Sequence, residues 1–227
     1  MRSITAALGV AALLASGLPL AAEPQAAQPQ QQQPPAQGAA GQRGQPPAQP
    51  GRGGGRGRGA VPVMTLTVPW TDGGQIPAKY TQTGGEISPA LSWGGAEGAS
   101  VIPEGTASFV VIVHDLDVVA SNTGADTLHW LVWNIPPTSK GLPEGVPQGP
   151  QLPDGTRQIS ATGPNYRGPG APAAGPAHHY VFELFALDTM INVPAVGASP
   201  AETRAAVQAA MLGHIRGHAV AVGLYKR

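Results

Sequence analysis

Apolar and polar positions alternate, or β-branched and aromatic residues cluster, in five short runs: Val61 to Val68, Ala107 to Val113, Leu128 to Ile135, His178 to Leu187 and His218 to Tyr225. Runs of this length and period read as strands. The connections between them are rich in Gly and Pro; the longest, Pro136 to Gly175, has no repeating pattern and is predicted to be loop held by the sheets. One stretch carries a helix signature. Ser199-Pro200-Ala201-Glu202 is a capping box with proline at the first helical position, and Ala205, Val207, Ala209, Ala210, Met211 and Leu212 carry the helix to Gly213. The expectation is an all-β sandwich with one late, short helix.

Neither period governs the first 60 residues. Residues 1–22 open on Met1-Arg2, run apolar from Ile4 to Leu20 and close on Ala21-Ala22, the layout of a secretory signal peptide. The run from Ala6 to Leu14 is too short for the roughly 20 residues that span a bilayer. From Glu23 to Ala60 every residue except Glu23, Arg43, Arg52, Arg56 and Arg58 is Pro, Gly, Gln or Ala. Such a tract buries nothing against its ordering entropy and is predicted to be a disordered linker. Its Gly51 to Gly59 segment is similar to arginine-glycine segments that touch RNA; in an exported chain it reads as a solvated tether with weak affinity for anionic surfaces. Residues 61–227 then form one domain, 167 residues long.

Composition narrows the chemistry. The chain of 227 residues has no Cys, which excludes disulfides, zinc knuckles, thiol catalysis and a lipidated N-terminal cysteine. Its formal charge of zero hides an asymmetry: residues 61–227 hold eight Lys and Arg against twelve Asp and Glu, a net charge of −4. That balance argues against nucleic acid as a partner of the domain. All six histidines lie in this part.

Strand alternation places Asp115 and Asp117 on one face, His178 and Tyr180 on one face, and His129 with Leu131, Trp133 and Ile135. The plain reading is a structural hydrogen-bond network at the sandwich edge. Three histidines and two aspartates are also a nitrogen and oxygen set of the kind that takes zinc or copper. His214 and His218 are four apart, but Gly213 ends the helix before that spacing can put them on one face. There is no Gly-x-Ser-x-Gly and no His-Glu-x-x-His, so the reading is of a protein that is not an enzyme, with no cofactor and no resident metal.

Four blocks in order carry a family resemblance: Asp115-Leu116-Asp117; His129-Trp130-Leu131-Val132-Trp133-Asn134-Ile135-Pro136; Tyr166-Arg167-Gly168-Pro169-Gly170-Ala171-Pro172; and His178-His179-Tyr180-Val181-Phe182. With Ile87 to Trp93, Leu142 to Val146 and Met211 to Tyr225 beside them, the chain resembles the phosphatidylethanolamine-binding proteins, in their bacterial branch called Raf kinase inhibitor-like. Two departures stand out. Leu116 and Val119 occupy positions where that family usually has proline, and His179 one where it usually has a basic residue; alternation points His179 away from the pocket.

The resemblance implies a two-sheet antiparallel Greek-key β-sandwich with a small pocket for phosphate or a phosphorylated head group such as phosphoethanolamine. Carried over by position, the ligand-binding residues are Asp115, Asp117, His129, Gly170, Pro172, His178 and Tyr180. Imidazole and phenol groups can donate to phosphate oxygens, and a Gly/Pro loop lets backbone N–H groups approach. An aspartate repels phosphate, so Asp115 is read either as holding a histidine in one charged tautomer or as taking a head-group amine, with a raised pKa expected for His129. The partners implied are a small phosphorylated ligand and weak contact with membrane head groups. The alternative is an exported inhibitor of a hydrolase or other protein, acting through exposed loops such as Pro136 to Pro153 with the polar cluster structural. Periplasmic or secreted localisation follows from the leader; oligomeric state is not legible.

Overall fold

The longest apolar runs become the centre of a sheet. A computed structural model describes residues 61–94 and 102–227, so the predicted signal peptide (1–22) and linker (23–60) lie outside the described residues. Nine strands and one α-helix are formed there: β1 Leu66–Thr67, β2 Gly74–Gln75, β3 Leu91–Trp93, β4 Ser108–Val119, β5 Asp126–Ile135, β6 Gly141–Leu142, β7 Arg157–Ile159, β8 His178–Leu187, α1 Pro200–Met211 and β9 Ile215–Tyr225. Six strands pair in the order β2-β9-β8-β4-β5-β7, and three in the order β1-β3-β6. The β2–β9 ladder is parallel; the others are antiparallel.

Both faces of the large sheet are covered. One packs Phe109, Val111, Val113, Trp130, Val132, Phe182 and Leu184 against Leu66, Leu91, Trp93 and Leu142 of the small sheet. The other packs Val110, Ile112, Leu128, Leu131 and Trp133 under Val207 and Met211 of α1. Burial on two faces is why β4 and β5 read as nearly continuous apolar runs rather than a strict alternation. The helix starts as its sequence predicts: the Ser199 side chain accepts from the Glu202 N–H at 3.2 Å, and Glu202 Oε2 accepts from the Ser199 N–H at 2.9 Å. That reciprocal cap is worth about 1 kcal/mol.

The predicted strand Val61 to Val68 shrinks to β1 and a single bridge between Val63 and His218, because Pro62 and Pro69 bring no N–H to a ladder. The Pro136 to Gly175 segment holds β6 and β7 within its loops. Register shifts correct the face assignment of His129. The β4–β5 ladder runs Val113↔Trp130 and then His114↔Leu128, leaving one extra residue on β5. Leu131 and Trp133 therefore face α1, whereas His129 turns toward the other face, the one that carries Trp130, Val132 and Ile135. A second shift, between Phe109↔Ile135 and Val111↔Val132, sits at Asn134, whose φ is +58°.

Candidate functional site

The bulge puts His129 where three elements converge. Asp115 ends the regular part of β4 opposite Tyr180 of β8, with His178 two residues before it on the same face. The His178 and Tyr180 rings lie stacked with centroids 6.4 Å apart, and His129 meets the Tyr180 ring edge-on at 5.0 Å. The third element is the loop from Arg167 to Pro172. Together they wall a pocket of about 210 Å³ lined by Gln82, Asp115, Val118, Thr127, His129, Arg167, Gly170, Ala171, Pro172, His178 and Tyr180.

Each ring has one nitrogen committed to the protein. Nδ1 of His178 lies 2.8 Å from Oδ2 of Asp115, whose Oδ1 accepts the Asp117 N–H at 2.9 Å. Asp115 is buried, so both its oxygens are satisfied by protein donors and it orients His178. Nδ1–H of His129 donates to the Arg167 carbonyl at 2.9 Å. The Tyr180 hydroxyl accepts the Gly170 N–H at 3.2 Å, and its pKa is pushed up, by burial first and by the Asp115 charge second.

The His129 expectation is overturned in sign. Burial, at 3% exposure, holds its pKa below the ordinary histidine value and outweighs the Arg167 carbonyl and the Asp115 charge, which pull it up. Burial thus disfavours the imidazolium in the free protein, and in the neutral ring, with its proton on Nδ1, Nε2 is an acceptor.

The loop gets close because two of its glycines have no Cβ. One built on Gly168 would stand 2.6 Å from the Tyr80 carbonyl, and one on Gly170 2.3 Å from Gln82 Nε2. Gln82 ties the two together by donating to the Gly168 carbonyl at 2.9 Å.

Of the seven residues singled out in the sequence, Asp115, His129, Gly170, Pro172, His178 and Tyr180 line this pocket. Asp117 does not. Three residues are inserted between the pairs Asp115↔Thr127 and Val119↔Asp126, so alternation fails there. Asp117 instead accepts from the N–H of His179 at 2.6 Å and its Nδ1 at 3.0 Å. His179 points outward, as alternation predicts. Gln82, Val118, Thr127, Ala171 and Arg167 were missed. Arg167 had a signal available, a lone cation inside the Tyr-Arg-Gly-Pro-Gly block, whereas Gln82 had none. His214 and His218 take separate partners, Asp188 at 2.8 Å and Glu183 at 3.2 Å. Among the described residues no group of three or more His, Asp or Glu could hold a metal ion.

A family model described as "Phosphatidylethanolamine-binding protein" matches residues 67–226. A UPF0098 protein of Methanothermobacter thermautotrophicus is 39% identical over 160 residues, covering 70% of this chain and 95% of the relative. A protein of Mycobacterium tuberculosis named "Putative lipoprotein LppC" is 30% identical over 159 residues, 69% of this chain and 71% of its own. The crystal structure of Escherichia coli YbcL, described as a new member of the mammalian PEBP family, superposes with a TM-score of 0.58 at 28% identity, covering 72% of this chain and 98% of that one.

Proposed function

The chain belongs to the phosphatidylethanolamine-binding protein family, and from that premise we propose that its pocket binds a small anionic ligand, phosphate or a phosphorylated head group such as phosphoethanolamine, without transforming it. One observation carries this reading. Arg167, His129, His178 and Tyr180 converge on about 210 Å³, a space suited to one head group. Asp115 is a positioning residue: it fixes the tautomer of His178 and leaves Nε2 of that ring for the ligand.

The leader favours a protein that works outside the cytoplasm, and a relative named as a lipoprotein supports an envelope location. Among the described residues no helix is long and apolar enough to cross a membrane. The reading is tested by calorimetric titration of phosphoethanolamine and inorganic phosphate into the purified chain and its His129→Ala variant. Saturable binding by the parent, lost in a folded variant, supports it. No heat at millimolar ligand from a folded parent sinks it and leaves the cluster structural.

A further inference from the structure

Glu86 stands in a backbone conformation that its own residue type disfavours. Its φ is +54°, in the left-handed region where a Cβ crowds the following carbonyl. It closes a turn in which the Gly84 and Glu86 N–H groups both donate to the Thr81 carbonyl at 3.0 Å. Glycine would adopt this conformation without strain. Glu86 is exposed, so core packing gives no reason for a glutamate there.

Its side chain reaches the pocket loop instead. Oε1 of Glu86 accepts the Gly168 N–H at 3.1 Å. That N–H and the Arg167 carbonyl are the two ends of one planar peptide group. At the other end, the carbonyl accepts from Nδ1–H of His129 at 2.9 Å. Carboxylate, peptide and imidazole are thus joined in series, and a charge-assisted hydrogen bond at the N–H end polarises the peptide so that its carbonyl accepts more strongly. The ring feels this carbonyl: burial lowers the His129 pKa, and the Arg167 carbonyl is the strongest pull against it. Gln82 grips the next two groups of the loop, its Nε2 donating to the Gly168 carbonyl at 2.9 Å and its N–H to the Pro169 carbonyl at 3.0 Å, but neither belongs to that peptide.

We propose that Glu86 is a positioning residue of the anion pocket: through the Arg167–Gly168 peptide it holds His129 with its proton on Nδ1 and Nε2 free for the ligand. The inference deepens the anion-pocket reading and rests on it for the ligand. Asp115, Arg167, His178 and Tyr180, the charged and titratable groups that line the pocket with His129, stay in place when Glu86 is changed, because Glu86 lies outside the lining.

The test compares the purified chain with its Glu86→Gly and Glu86→Gln variants. Glycine removes the strain together with the carboxylate, whereas glutamine keeps an acceptor oxygen at the same reach. The readouts are the unfolding midpoint in urea, the His129 tautomer from its ring-nitrogen NMR shifts, and the calorimetric affinity for inorganic phosphate. The glycine variant is expected to be as stable as the parent, to divide His129 between its two tautomers, and to bind phosphate about tenfold more weakly. Glutamine should restore the tautomer and most of the affinity. A glycine variant with the parent's tautomer and the parent's affinity overturns the proposal. So does one that loses stability and phosphate binding together while its folded form keeps the parent's tautomer, which would make Glu86 a brace of the fold. If the parent binds no phosphate and its His129 tautomer still depends on Glu86, the anion-pocket reading fails and the link from Glu86 to His129 stands.

Discussion

His129 and Arg167 hold each other: the ring Nδ1–H of His129 donates to the Arg167 carbonyl at 2.9 Å, and the Arg167 N–H donates to the His129 carbonyl at 3.0 Å. The pairing ties the loop to β5 and fixes the tautomer. A neutral His129 offers a lone pair at Nε2, and a phosphate dianion offers only acceptors, so the two face each other without a proton between them.

A proton should therefore enter with the ligand. Burial keeps the pKa of free His129 below its ordinary value, and a bound anion raises it. Binding of phosphoethanolamine near neutral pH is expected to take up about one proton, with affinity falling as pH rises by up to about tenfold per unit. Calorimetry in buffers of different ionisation heat measures the uptake directly. A proton count of zero, with affinity flat between pH 6 and 8, would contradict this account.

Asp115 separates two roles left open by the sequence. Its oxygens already accept from His178 Nδ1 and from the Asp117 N–H, so little remains for a head-group amine. Asp115→Asn is expected to weaken inorganic phosphate and phosphoethanolamine alike, by about tenfold, through a misoriented His178. Selective loss of phosphoethanolamine would instead assign the carboxylate to the amine.

The parts of the fold and of the site that were legible in the sequence are those fixed by local chemistry. The helix cap at Ser199 and Glu202 needs four residues and nothing else, and it forms as written. His178 and Tyr180 sit on an unbroken stretch of β8, where a period of two holds. His129 and Asp117 were misassigned because inserted residues shift parity, one on β5 at His129 and three on β4 around Asp117, and where such insertions fall is decided by how two sheets fit together, not by the strand's own residues. Gln82 enters the pocket because the Gly168 to Gly170 loop presses against its chain, a contact with no periodic trace.

The two loop glycines should fail differently. A Cβ at Gly168 meets backbone, the Tyr80 carbonyl at 2.6 Å and the Thr81 carbonyl carbon at 2.8 Å, which cannot swing aside. Gly168→Ala is expected to lower stability by about 1–3 kcal/mol in urea unfolding. A Cβ at Gly170 meets the Gln82 side chain, which can move but only into the pocket wall it helps to build. Gly170→Ala should thus spare most of the stability and weaken phosphate binding. Equal unfolding midpoints for the two variants would argue against this distinction.

His114 makes a separate, pH-dependent prediction on the opposite face of β4. Its Nδ1 lies 2.5 Å from Asp126 of β5, and its Nε2 lies 3.2 Å from Glu183 of β8, an ion contact without the alignment of a hydrogen bond. Arg204 of α1 pairs with Asp126, and His218 of β9 lies 3.2 Å from Glu183. Burial works against the imidazolium, yet Glu183 and Asp126 outweigh it and raise the His114 pKa. The pKa values of Glu183 and Asp126 are lowered in turn. A raised histidine pKa gives stability that is complete below the unfolded value, about 6.5, and is lost as pH climbs through the folded one. Lowered carboxylate pKa values give stability that is present above about pH 4 and lost as pH falls through their folded values. The network is therefore strongest between these limits. Against the parent, His114→Phe should show its largest deficit near pH 5–6, about 1–3 kcal/mol, shrinking toward pH 9. Urea unfolding across that range checks the sign: a deficit that grows with rising pH would mean that His114 is neutral in the folded protein and its partners are held by something else.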